Sequence, residues 1–180
     1  MQNNTTTPFS DIYSSFLSKL TDDMYMELDE QQTHRLLEEL LLSAIQKFEF
    51  PRFDIANYDI SHEETIIKEL EDGSTIEETV VAEGRFNIVL TQEEMNILAT
   101  YMVVEWLSQQ LASVENTRMK YSGSDFKFTS QANHMAKILN LKQEYEREGF
   151  HLQRLYKRRK RDENGIMKST FDSIMSGSVN

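Results

Sequence analysis

Cysteine is absent from the 180-residue sequence. Disulfides, thiolate zinc sites and cysteine nucleophiles are thereby excluded together. No apolar run approaches the roughly 18 residues that a membrane helix needs. The start Met1-Gln2-Asn3-Asn4-Thr5-Thr6-Thr7 has no basic stretch followed by an apolar one, so the expectation is a soluble chain that is not exported by a signal peptide. The six glycines, Gly73, Gly84, Gly123, Gly149, Gly165 and Gly177, are scattered without Walker or dinucleotide spacing. Four histidines, His34, His62, His134 and His151, stand far apart and form no H-x-x-x-H or H-E-x-x-H pair. His62-Glu63-Glu64 reads as a solvated turn sooner than as a metal donor set. No serine sits in a G-x-S-x-G elbow. The acid pairs Glu38-Glu39 and Glu77-Glu78 are adjacent residues, which point in different directions on a helix or strand and so make no acid–base site. The reading is of a non-enzymatic chain with no catalytic residue, no cofactor and no metal. Internal repeats and sustained heptads are also missing.

What is present is enough apolar and aromatic material for a core, and a formal charge of −11. That charge argues against broad nucleic-acid binding, because phosphate backbones select basic surfaces. It is unevenly placed. Glu63, Glu64, Glu69, Glu71, Asp72, Glu77, Glu78, Glu83, Glu93 and Glu94 are set against only Lys68 and Arg85, whereas the cluster Lys157, Arg158, Arg159, Lys160 and Arg161 comes near the end. Such a chain suits head-to-tail association with copies of itself or the joining of two differently charged partners; two solvated surfaces are the plainer account.

The apolar spacing predicts mainly α structure: about four helices in a bundle, an inserted β-hairpin and an extended C-terminal tail. Thr7 before Pro8 predicts an N-cap with proline at the first helical position, followed by Phe9, Ile12, Tyr13, Phe16, Leu17 and Leu20. A second helix spans about Asp29 to Phe48, with Leu36, Leu37, Leu40, Leu41, Ala44, Ile45 and Phe48 inward, and Pro51 ends it. Ile66 to Glu71 and Thr75 to Val81 flank Asp72-Gly73, a tight-turn pair, and Phe86 to Leu90 is a possible third strand. So small a sheet must lean on the helices or on another subunit. Thr91 and Glu94 form a T-x-x-E capping box that opens a central helix through Leu98, Met102 and Trp106 to about Glu115. Trp106, Leu98, Met102, Leu36, Leu40 and Ile138 are expected to share one core. After the polar link Lys120 to Asp125, Thr129 or Ser130 caps a fourth helix from Gln131 to a break near Gly149, beyond which Phe150, Leu152, Leu155 and Tyr156 extend or restart it.

The chain thus divides into a helical domain over 1–156, with its hairpin insertion at about 60–90, and a basic segment and docking tail over 157–180. The basic run Lys157 to Arg161 is expected to close the last helix, and it admits three readings: a nucleic-acid patch, a solvated helix end whose cations suit the C-terminal dipole, and an anchor for an acidic neighbour. In the tail, Ile166, Met167, Phe171, Ile174 and Met175 are spaced so that several share one helical face, which predicts a short amphipathic element that forms only when docked in a partner's groove.

The block from Leu90 to Leu107, together with Tyr121-Ser122-Gly123-Ser124-Asp125-Phe126-Lys127-Phe128-Thr129-Ser130-Gln131-Ala132-Asn133-His134, resembles head-to-tail connector proteins of tailed bacteriophages, those of the neck, adaptor or head-completion kind. The likeness lies in a long apolar helix, a polar S-G-x-D-F loop and an S-Q-A-x-H helix start, and it covers the second half of the chain. It implies a structural virion protein, assembled in the host cytoplasm, that forms a ring, commonly twelvefold, between capsid and tail. The implied partners are the portal protein, tail or neck-completion proteins and copies of itself, with packaged DNA passing nearby and no membrane. Lys157 to Arg161 and the five apolar tail residues would then contact the portal or a neighbouring subunit. Two other classes stay open: a DNA-binding or regulatory helical protein that uses the basic run, and a tail or baseplate subunit.

Overall fold

A computed structural model of the chain describes residues 5–20, 30–69, 75–120, 128–161 and 167–168. It is mainly helical, with four helices and a few short strands. In chain order these are β1 (Thr7–Pro8), α1 (Phe9–Leu17), α2 (Glu30–Lys47), β2 (Tyr58–Asp59), β3 (His62–Glu69), β4 (Thr75–Ala82), β5 (Arg85–Phe86), α3 (Gln92–Lys120), α4 (Phe128–Arg158), β6 (Lys160–Arg161) and β7 (Met167–Lys168).

The helix α3 is the centre of the fold, and α1, α2 and α4 each pack on it. Every residue from Ile97 to Val104 is buried, the mark of a helix surrounded on all sides. Of the two hydroxyls in that stretch, that of Thr100 donates to the Asn96 carbonyl at 2.8 Å and that of Tyr101 accepts from Gln153 Nε2 at 2.6 Å, so each is hydrogen-bonded despite its burial. Around α3, which contributes Trp106 among others, the core gathers Phe9, Ile12, Phe16, Leu40, Leu41, Ala44 and Phe48. Leu36 is half-buried and packs against this cluster, whereas Ile138 is buried outside it.

Thr91 and Glu94 make the expected reciprocal cap. The Glu94 amide donates to Thr91 Oγ1 at 3.3 Å, and the Thr91 amide donates to Glu94 Oε2 at 2.7 Å. Thr7 has a different role from the one its position suggests. Pro8 is itself the N-cap of α1 and offers no side-chain bond. The Thr7 hydroxyl instead donates to the Ile88 carbonyl at 3.0 Å and accepts the Leu90 amide at 2.8 Å, tying the N-terminal strand to the segment that leads into α3.

The strand expected over Phe86 to Leu90 is shorter and pairs elsewhere. β5 lies between β1 and β2 in a small antiparallel sheet and is not part of the hairpin. The bonds from Thr7, and one from the Asn87 amide to the Asn57 carbonyl at 3.0 Å, hold this stretch against the body. Phe9, Tyr58 and Phe86 cluster beneath the sheet, with the Phe9 and Phe86 centroids 5.0 Å apart. Gly84 permits this closeness, because a Cβ there would lie 2.5 Å from the Phe9 ring.

The hairpin itself is β3 against β4, in register from His62↔Ala82 to Glu69↔Thr75; its Asp72-Gly73 turn lies outside the described residues. It makes little contact with the helices among the described residues. Among the described residues its two strands pack principally on one another, with Ile67 72% and Val81 65% exposed. Its root is pinned where the Ser61 amide donates to Glu38 Oε1 at 2.9 Å and the Gly84 amide donates to Ser61 Oγ at 3.1 Å.

The break expected near Gly149 is absent, and α4 runs unbroken to Arg158. Gly149 is buried, and a Cβ there would come within 2.9 Å of the Tyr101 ring on α3. The residue therefore serves close helix–helix approach and not termination.

Candidate interaction site at the end of the fourth helix

The last three turns of α4 pack against the loop that follows α2, and polar side chains weld the two. Gln153, almost fully buried, accepts the Glu49 amide on Oε1 at 2.8 Å and donates through Nε2 to the Lys47 carbonyl at 2.9 Å and to the Tyr101 hydroxyl at 2.6 Å. It thereby takes up one of the carbonyls that the end of α2 leaves open. Three residues on, the Tyr156 hydroxyl donates to Glu94 Oε1 and accepts the Arg52 amide at 3.0 Å. The Arg52 guanidinium lies 3.9 Å over the Tyr156 ring and donates to the carbonyls of Tyr156 and Arg159. Burial, and then the acceptor Glu94, push the Tyr156 hydroxyl well above its ordinary value.

Outside this weld lies a cleft of about 520 Å³ lined by Glu49, Phe50, Phe150, Gln153, Arg154, Lys157 and Arg158. Its walls combine exposed aromatic rings with cations. Phe50 and Phe150 are both exposed; Lys157 Nζ stands 3.9 Å over the Phe50 ring, and the Arg154 guanidinium stands 5.9 Å from the Phe150 ring. Such contacts contribute only about 0.5–1 kcal/mol at exposed sites, but they hold the long side chains along the walls. Arg154, Lys157 and Arg158 form no ion pair among the described residues.

The basic run therefore does not act as a block. Lys157 and Arg158 end α4 and line the cleft. Arg159 lies beyond the helix end, with its Nη1 2.9 Å from Glu93 Oε1 and its carbonyl accepting from Arg52. Lys160 and Arg161 are in β6, antiparallel to β7 in the register Lys160↔Lys168 and Arg161↔Met167. The expectation that Lys157 to Arg161 closes the helix is thus corrected. Arg52 and Glu93 hold Arg159 at the point where the helix stops, and a strand follows. Met167 likewise lies in a strand and not in a helical element; Ile166, Phe171, Ile174 and Met175 lie outside the described residues.

Sequence reading grouped Phe150 with the apolar residues extending the helix and missed Phe50 and Arg154 altogether. A signal was available. Phe150, Arg154 and Lys157 follow i, i+4, i+7 spacing and fall on one helix face. Tyr145, Gly149, Leu152 and Tyr156 form a different stripe, which is the one that packs inward. The hairpin supplies a second exposed surface, described by its register: Glu63↔Val81, Thr65↔Thr79 and Ile67↔Glu77 alternate onto a single face. Among the described residues no group of histidine, aspartate and glutamate is arranged to hold a metal ion.

No family model, curated protein or solved structure matches the chain.

Proposed function

We propose that the chain is a structural virion protein of a tailed-phage neck, a ring-forming subunit that joins the portal of the capsid to the tail and lines the DNA channel. The finer architecture of this reading is a helical bundle around α3 with the hairpin as an insertion and the segment from 157 onward as a docking element. The observation that carries it is the pair of exposed, chemically opposite surfaces on one small chain: a hairpin arm with uncovered Ile67 and Val81 beside Glu63 and Glu77, and a cationic aromatic cleft at the end of α4. Exposed apolar side chains rimmed by charge mark contact surfaces. The Leu90–Leu107 and Tyr121–His134 resemblance supplies the setting, with the portal, neck-completion or tail proteins and further copies of the chain as neighbours. Electron microscopy of the native particle tests the reading. Symmetric copies between portal and tail are the expected result, and a single copy without symmetric neighbours would sink the ring.

A second reading draws on the same cleft. Aromatic rings among arginine and lysine also suit stacked bases and phosphates, the arrangement that a DNA-binding helical protein would use. Steeply salt-dependent retention of oligonucleotide by the isolated chain would favour it; indifference to DNA at low salt would remove it.

A further inference from the structure

We infer that the cationic aromatic cleft at the end of α4 is the seat for the β3–β4 hairpin of a second copy of this chain. The inference rests on the ring-forming reading above and specifies its contact. Three observations point to this occupant. The first is the hairpin's isolation: among the described residues its two strands pack principally on one another, although two strands alone are marginal in water. The second is the composition of one of its faces. The register places Glu63, Ile67, Glu77 and Val81 on the same side, with the threonine pair Thr65↔Thr79 between them, and all of these side chains are exposed. Lys68, opposite Ile76, falls on the other face.

The third is the cleft's complementary chemistry. Phe50 and Phe150 offer apolar surface for Ile67 and Val81, while Arg154, Lys157 and Arg158 meet Glu63 and Glu77. Among the described residues Glu49 is the one acid that lines the cleft. Among the described residues no hairpin residue lines the cleft, so the meeting of the two surfaces is assigned to different copies. Such a contact joins unlike surfaces head to tail and propagates from copy to copy, into a ring if the rotation closes and into a filament if it does not. Opposite charges across it set register and speed association more than they add affinity.

The absence of cysteine makes a direct test available. One full-length chain carries Ile67→Cys on the hairpin and another carries Phe50→Cys in the cleft; both positions are exposed. They are mixed at high concentration and low salt with a flexible cross-linker that joins two thiols, which avoids the strict geometry of a disulfide. The expected result is a 67-to-50 link, identified by peptide mass, well above the yield of Ile67→Cys mixed with Ala132→Cys, an exposed control near the other end of α4. Added salt lowers the yield. Arg154→Glu with Lys157→Glu on the cleft chain abolishes it, and Glu63→Lys with Glu77→Lys on the hairpin chain partly restores it.

A yield no higher than the control, or one indifferent to these charge reversals, overturns the inference. So does the finding that the same cleft reversals abolish retention of a single-stranded oligonucleotide while no 67-to-50 link forms, because the cleft then belongs to nucleic acid. The link is measured between copies of the isolated chain and the neck assignment on particles, so either can fail without the other.

Discussion

Tyr156, in the last turn of α4, donates its hydroxyl to Glu94, the third residue of α3, whose other carboxylate oxygen closes the α3 capping box. One buried carboxylate therefore starts the central helix and fastens the C-terminal helix to it. Replacing Glu94 by alanine removes a cap worth about 1 kcal/mol and a buried bond to a charged group worth about 1.5–3 kcal/mol. The expected loss is about 2–4 kcal/mol, read as a lower urea midpoint. Tyr156→Phe keeps the cap and should lose about 1–3 kcal/mol. Because the two residues share one bond, the double variant should lose less than the sum.

The same hydroxyl makes stability sensitive to alkali. Burial raises Tyr13, Tyr101, Tyr145 and Tyr156 above the ordinary value of 10.0, with Glu38 and Glu83 adding to the rise at Tyr13. A group whose folded-state value is raised favours folding in its protonated form. Its contribution is complete below the unfolded value and is lost as pH climbs through and beyond that value toward the folded one. Urea midpoints should therefore hold steady from about pH 7 to 9 as far as the tyrosines are concerned and fall above about pH 10. Tyr156→Phe should flatten that fall; an unchanged slope would remove Tyr156 from the account.

Two glycines should resist even alanine. Gly149→Ala gains about 1 kcal/mol of helix propensity, but the new methyl meets the Tyr101 ring at 2.9 Å and overpacking costs about 1–3 kcal/mol. A net loss is expected from thermal unfolding. Gly84→Ala should lose more, since its methyl falls 2.5 Å from the Phe9 ring and 3.1 Å from the Asp59 carbonyl oxygen, with backbone on one side unable to yield.

Deleting residues 166–180 removes β7 and the segment beyond it but none of the described core. Circular dichroism should show the helices intact. On the neck reading, incorporation into particles should be abolished; normal incorporation of the folded truncation would refute a docking role for the tail.

The parts of the fold legible in the sequence were those governed by local rules. Periodicity located α1, α2 and α3, and the T-x-x-E pattern located the start of α3 to the residue, because the cap is made by side chains three positions apart. What escaped depended on distant neighbours. Gly149 resembles a stop signal until Tyr101 is seen beside it, and Thr7 resembles a helix cap until Ile88 and Leu90 engage its hydroxyl. The cleft was half legible. Lys157 and Arg158 stood out as charge, but Phe50 and Phe150 were hidden among core aromatics, and the capture of Arg159 by Glu93 joins residues far apart in sequence.

The hairpin is fixed to the body at Ser61, Gly84 and Glu38, and its two strands otherwise answer chiefly to each other. Changes along Glu63 to Ile67 or Glu77 to Val81 therefore carry little penalty in the core built on α3. If the arm docks on a second copy as inferred, selection can rewrite it as its counterpart changes, one surface tracking another across generations, while the residues that make the chain fold stay where they are.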